Sequence, residues 1–198
     1  MAPTLTRREW LIAAAGIAAI AAAAVWHSWP EQAEPAGAVG GPFALIDADN
    51  VPFTFKDLLG KPSLVFFGFT RCPDICPTSL FQLSQVLSRL GPDADRINAL
   101  FITVDPDRDT PAQMKSYLSA FDPHLRGLTG DRAHLAVAWD LYGVTATIVP
   151  TTSDNYNMDH TSTVFVLDRN ARFTTSFDMH EPPDDAVATV RDVLASRS

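Results

Sequence analysis

From Phe43 onward the apolar positions recur with two different periods, and the switches between them mark out the elements. Residues 43–46 and 51–55 are short apolar-rich stretches on either side of Asp47-Ala48-Asp49-Asn50, which predicts a hairpin turning at those four residues. A helical turn at residues 56–59 follows, ended by Gly60. Residues 63–69, SLVFFGF, form an unbroken apolar run, as in a strand covered on both faces. From Pro77 the period becomes that of a helix: Leu80, Leu83, Val86, Leu87 and Leu90 fall on one stripe, and Gly91 stops it. Residues 97–105 read as a second covered strand. Thr110-Pro111 caps a helix running to about residue 121, and Asp131 caps another to about residue 142. Residues 161–168 and 171–177 predict a hairpin turning at residues 168–170, and residues 184–196 a closing helix. Strands alternating with helices, then a terminal hairpin and helix, predict an α/β sheet with helices on both faces.

Ahead of this pattern stands a segment of another kind. Residues 11–25 are fifteen apolar residues, mostly alanine, with Arg7 and Arg8 in front. That is a targeting segment: its basic flank stays in the cytoplasm and the rest of the chain is exported, with Trp10, Trp26 and Trp29 at the membrane interfaces if the segment is retained. It is shorter than the ~20 residues that span a bilayer comfortably, and alanine-rich sequence also offers cleavage sites, so both an anchor and a cleaved signal fit. Thr6 to Leu11 also resembles a twin-arginine export signal, with Trp10 where phenylalanine is usual. The expected organisation is a signal or anchor over 1–29, a Pro- and Gly-rich linker over 30–42 and one domain over 43–198. The expected location is a bacterial inner membrane with the domain in the periplasm, or the soluble periplasm after cleavage. The 198 residues, 46% hydrophobic, supply one sizeable core. A net charge of −8 without any basic block excludes a nucleic-acid surface.

The chemistry concentrates at FFGFTRCPDICPTSL, residues 66–80, which holds both cysteines of the chain. Cys72 and Cys76 fall in the turn between a covered strand and the helix after it, the edge of an open α/β sheet where functional groups gather. A helix N-terminus lowers the pKa of a nearby thiol, favouring the thiolate that attacks disulfides and binds metals. A structural disulfide would close a very short loop and constrain the unfolded chain little. Cys-x-x-x-Cys has one residue more than the thioredoxin motif, which leaves room for a soft metal ion between the sulfurs. Among five histidines, His27 borders the apolar segment, His124 follows Pro123, His134 opens a helix and His180 precedes Pro182-Pro183; each reads as a surface residue. His160 differs, because it ends the long polar stretch 145–158 and enters the strand at 161–168. In a thioredoxin-like layout, the loop entering that strand passes beside the cysteine turn.

FGFTRCPDICPTSL, VDPDRDTP, YGV and YNMDHTSTVFVLD together resemble the Sco/SenC family of copper chaperones over residues from about 41 to 198. The resemblance implies a thioredoxin-like fold, here with an N-terminal β-hairpin extension and a long inserted loop before the C-terminal hairpin. It implies that Cys72, Cys76 and His160 bind one copper ion, Cu(I) or Cu(II). It also implies a role in building the dinuclear copper centre in subunit II of cytochrome c oxidase, or in another copper-site protein, with a copper donor or thiol reductant as further partner. Two thiolates and an imidazole suit three-coordinate Cu(I), and Cu(II) with one more ligand; the same set also suits zinc.

The neighbouring residues have plainer readings beside their chemical ones. Asp74 and Asp159 either offset metal charge or are solvated turn residues. Met158 and Tyr156 either join the site or pack. Asp105, Asp107 and Asp109 match the opening of a calcium loop, but Thr110 replaces its glycine and Ser116 its closing glutamate, so the run reads as a turn and helix cap, or as part of a docking surface at the sheet edge that carries the cysteines. Two functions compete with a copper chaperone: a thiol-disulfide oxidoreductase, with Cys72 and Cys76 redox-active, and a thiol peroxidase. The peroxidase fits worst, since its Thr-x-x-Cys spacing is absent at Thr70 and Cys72.

Overall fold

Two apolar runs form the two central strands, because each offers large side chains to both faces. Every residue of the first, Ser63–Gly68, is buried, and Phe66 and Phe67 point to opposite sides of the sheet. The computed structural model describes residues 39–151, 156–160, 163–178 and 182–196, with His160 described by its backbone. The apolar segment at 11–25, most of the linker, His27 and His180 lie outside the described residues. Among the described residues no helix is long and apolar enough to cross a membrane.

The strands are β1 (Ala44–Asp47), β2 (Pro52–Thr54), β3 (Ser63–Gly68), β4 (Asn98–Thr103), β5 (Leu125–Thr129), β6 (Ala146–Pro150), β7 (Tyr156–His160), β8 (Thr163–Leu167) and β9 (Phe173–Asp178). The helices are α1 (Ile75–Leu90), α2 (Pro111–Leu118), α3 (Arg132–Tyr142) and α4 (Pro183–Ala195), with short 3-10 turns after β2 and α1. Seven strands make one sheet in the order β2-β1-β5-β4-β3-β8-β9. β3, β4 and β5 run parallel, and β1, β8 and β9 join antiparallel at the two sides. Leu64, Phe66, Ala99 and Phe101 face the apolar stripes of α1, α2 and α4. Val65, Phe67, Leu100 and Ile102 face α3 and the β1–β2 hairpin. The expected helices on both faces are therefore present.

The expected hairpins form at both places. The first turn is built by Asp47, whose Oδ1 accepts the N–H groups of Asp49 and Val51 at 2.9 and 2.8 Å, and Asn50 takes the left-handed conformation. Thr110 and Asp131 cap α2 and α3 as their sequence positions predict, accepting from the N–H groups of Gln113 and His134.

Three features depart from the sequence reading. β5 has no counterpart in it. That strand carries Gly127, where an added Cβ would lie 2.7 Å from the Leu118 side chain, so glycine lets the strand pack against α2 without displacing it. α1 begins at Ile75 rather than Pro77, so Cys76 lies inside its first turn, and Pro77 occupies a position whose N–H would have no helical partner. The long polar stretch is not a loop throughout: β6 and β7 pair antiparallel from Ala146 opposite His160 to Pro150 opposite Tyr156, a two-stranded ribbon outside the main sheet.

Candidate metal centre

The carboxyl end of β3 delivers the cysteine loop, and the last residue of that strand makes room for a sulfur. A Cβ on Gly68 would stand 2.7 Å from the Phe101 ring and 2.9 Å from the Cys76 sulfur, closer than such atoms approach. The loop that follows is clamped at Thr70. Its N–H and hydroxyl donate to Asp109 at 3.0 and 2.6 Å, and the Thr103 hydroxyl, at the end of β4, donates to the same carboxylate at 2.6 Å. Asp109 is fully buried. Burial raises its pKa above the ordinary carboxylate value, and the hydrogen bonds from Thr103 and Thr70 only partly offset this.

Cys72 is half-buried and Cys76 fully buried, and they are not joined by a disulfide. The Cys76 N–H donates to the Cys72 sulfur at 3.3 Å, so the first turn of α1 aims a backbone donor at that atom. The expected lowering of thiol pKa does not extend to Cys76. Its hydrogen bond with Cys72, and after that its burial, hold its pKa far above the usual thiol range. A metal ion taken up by this thiol must displace its proton.

A cavity of about 150 Å³ separates the cysteine loop, residues 72–75, from Asn157, Met158 and Asp159 of β7. The strand thus lies across the loop, and its next residue is His160. Among the described residues no three His, Cys, Asp or Glu side chains form a metal-holding group; the His160 side chain is not one of those described. Asp74 and Asp159 both line the cavity and are both exposed. Met158 is buried in the core cluster that includes Cys76. The remaining described histidines are elsewhere: the ring nitrogens of His124 face Asp122 and Asp95 at 2.6 and 3.1 Å, and His134 faces Asp131 at 2.7 Å.

The acidic run between β4 and α2 does more than the turn, cap or docking surface that its sequence suggests. Its three carboxylates take separate sets of partners instead of converging on one point. Asp107 pairs with Arg132 at 2.7 Å, Asp109 holds Thr70 and Thr103, and Asp105 accepts from Arg108 and, at 2.7 Å, from the Tyr156 hydroxyl. The Arg108 guanidinium lies 3.6 Å from the centre of the Tyr156 ring and donates to the Tyr156 carbonyl at 2.9 Å. The dense Asp-Pro-Asp-Arg-Asp-Thr-Pro motif was the visible signal; burial of two of its carboxylates was not.

A cysteine pair between a central parallel strand and the following helix, with a helix-flanked sheet around it, defines a thioredoxin-like protein. This chain belongs to the SCO1/SenC family, whose model matches residues 31–195. It is similar to the copper-bound structure of Bradyrhizobium japonicum ScoI, with 52% identity and a TM-score of 0.75, covering 79% of this chain and 99% of that one. It is similar also to yeast Sco1 with copper bound, at 35% identity and a TM-score of 0.75, covering 81% and 91%. The mouse mitochondrial SCO2 homolog is 36% identical over 189 residues, 91% of this chain and 74% of the mouse protein.

Proposed function

We propose that this chain is a membrane-tethered copper metallochaperone in which Cys72, Cys76 and His160 hold one copper ion for the dinuclear copper centre of cytochrome c oxidase subunit II. The observation that carries the reading is the cavity shared by the cysteine loop and β7, because Cys72 lines it opposite the strand leading into His160, with Cys76 buried behind the loop. The donor chemistry supports it: two thiolates satisfy Cu(I), and an added imidazole makes the set competent for Cu(II). Zinc would accept the same ligands, and the copper-bound relatives favour copper. Loading copper releases the proton that Cys76 holds so strongly. The domain works in the periplasm, tethered by residues 11–25 with Arg7 and Arg8 on the cytoplasmic side, and it receives copper from a donor or electrons from a thiol reductant.

A second reading, thiol-disulfide exchange, is favoured by the N–H bond to the half-buried Cys72 sulfur. There Cys72 attacks a partner's disulfide, and Cys76 displaces it from the mixed disulfide. Two electrons pass to the partner, which leaves as a dithiol, and a Cys72–Cys76 disulfide remains. His160→Ala separates the two readings. It should abolish assembly of the oxidase copper centre in cells while the chain folds and keeps two titratable thiols, and normal assembly in that variant would overturn the copper reading. Copper loading of one ion per chain should likewise vanish when both cysteines become serine.

A further inference from the structure

One loop, residues 105–109, holds both halves of the site. Asp109 clamps Thr70, two residues before Cys72. Asp105 and Arg108 grip Tyr156, the first residue of the strand that ends at His160. Each member of this second group is fixed by the other two. Arg108 donates to one oxygen of Asp105, and Tyr156 donates to the other at 2.7 Å. The guanidinium stacks on the Tyr156 ring and also donates to the Tyr156 carbonyl. Asp105 and Arg108 have side chains only 1% and 10% exposed, so the group is shielded from competing water.

The ribbon needs such a fastening. Two strands alone are marginal in water, and β6 is exposed over most of its length. The bond to the Tyr156 carbonyl also fixes register, since a slip of one residue would turn every side chain of β7 to the other face. From Tyr156 to His160 is ~13 Å along an extended strand. A rotation of about 10° at Tyr156 would therefore carry His160 about 2 Å, the length of a metal–imidazole bond.

We infer that Arg108, with Asp105 and Tyr156, forms a positioning latch that holds the β6–β7 ribbon against the sheet edge and so presents His160 to the sulfurs of Cys72 and Cys76. This rests on the reading of His160 as a copper ligand. The latch acts through the strand, and it ties the imidazole to the same loop that holds the thiols.

The test uses the full chain purified in detergent, as wild type, Arg108→Leu, Tyr156→Phe, His160→Ala and the Arg108→Leu/His160→Ala double variant. Without copper, Arg108→Leu should speed amide hydrogen exchange at residues 157–160 while β3 and β4 keep their protection. With copper, it should weaken Cu(II) binding on the order of 10-fold or more and diminish the nitrogen hyperfine signal, with Cu(I) binding by the two thiols little changed. Tyr156→Phe, which keeps the stacked ring and the carbonyl bond, should retain most of the wild-type protection and Cu(II) binding. In the His160→Ala background Arg108→Leu should add nothing to the loss of Cu(II). Unchanged exchange and unchanged Cu(II) binding in Arg108→Leu, beside a clear loss in His160→Ala, would overturn the latch alone. An equal loss from Arg108→Leu in the His160→Ala background would overturn it as a matter of general stability. Wild-type Cu(II) binding in His160→Ala would overturn the ligand reading, and the latch with it.

Discussion

The cysteine loop and the β6–β7 ribbon border one cavity but are held by different forces. The loop grows out of a strand with no exposed residue, and its helix begins among Phe69, Leu80 and Leu83, all fully buried. The ribbon has Ile148 and Val149 nearly half exposed, and its fastening is Met158 together with the buried polar group at Tyr156. Apolar packing is non-directional and scales with the area buried; a hydrogen-bonded ion pair is directional and fails when one partner is lost. Cys76 is therefore built into the core with Cys72 packed at its margin, and the strand across the cavity is oriented by geometry-specific contacts.

The largest effect should come from the core side. Phe101 stacks on Phe66 at 5.9 Å, lies 6.1 Å from Tyr117 and closes the space left by Gly68. Phe101→Ala should cost roughly 3–5 kcal/mol, read as a lower denaturant midpoint at unchanged slope. Ile148→Ala on the ribbon should stay within about 0.5 kcal/mol. Equal losses at the two positions would break the contrast between packed loop and exposed ribbon.

A smaller loss should follow Asp109→Ala, and it should appear at the sulfurs as well as in stability. The change leaves the Thr70 N–H and the Thr70 and Thr103 hydroxyls without their carboxylate. Hydroxyls can rotate to other acceptors, but a backbone donor cannot, so the cost should be roughly 1–3 kcal/mol. With Thr70 released, Cys76 should react faster with a small alkylating reagent in the native state. Alkylation at the wild-type rate would mean that packing alone holds the loop.

These contrasts also explain what was legible in the sequence. β3, β4 and α1 announce themselves because an apolar run and a 3.6-residue stripe are set by burial, which is written residue by residue. Cys72, Cys76 and His160 stood out because their residue types are scarce and their positions adjoin predicted elements. β5 was not legible: Leu125–Thr129 carries an arginine and a glycine, and its place between β1 and β4 is decided by tertiary fit at Gly127. The ribbon was hidden for a related reason, since four of the five residues of β6 are exposed and show no buried face. Asp105 and Asp109 misled most. A run of aspartates ahead of Thr110-Pro111 reads as a turn and helix cap, and only the fold brings Thr70 and Tyr156, 39 and 51 residues away, onto them.

The smallest effect sharpens the comparison through a histidine on the framework. Both ring nitrogens of His124 face carboxylates, Asp122 at 2.6 Å and Asp95 at 3.1 Å, an arrangement that only the doubly protonated ring satisfies by donating at both. The hydrogen bond to Asp122 is the main influence raising its pKa above the usual imidazole value, with burial opposing and Asp95 adding to it. A raised folded-state pKa means that the imidazolium stabilises the fold fully below pH ~6.5 and that this contribution fades as pH rises through the folded value. His124→Gln should thus cost most near pH 5.5 and progressively less toward alkaline pH. The cost should stay at or below about 1 kcal/mol, because Asp95 is largely exposed and its pairing is screened. Unfolding midpoints measured across that range would show the difference between wild type and variant shrinking, and a difference that did not change with pH would mean the ring is not held as a cation. Copper loading should be untouched by His124→Gln, whereas His160→Ala should change copper loading and leave the pH slope as it was. One histidine would then be shown to serve the frame and the other the metal.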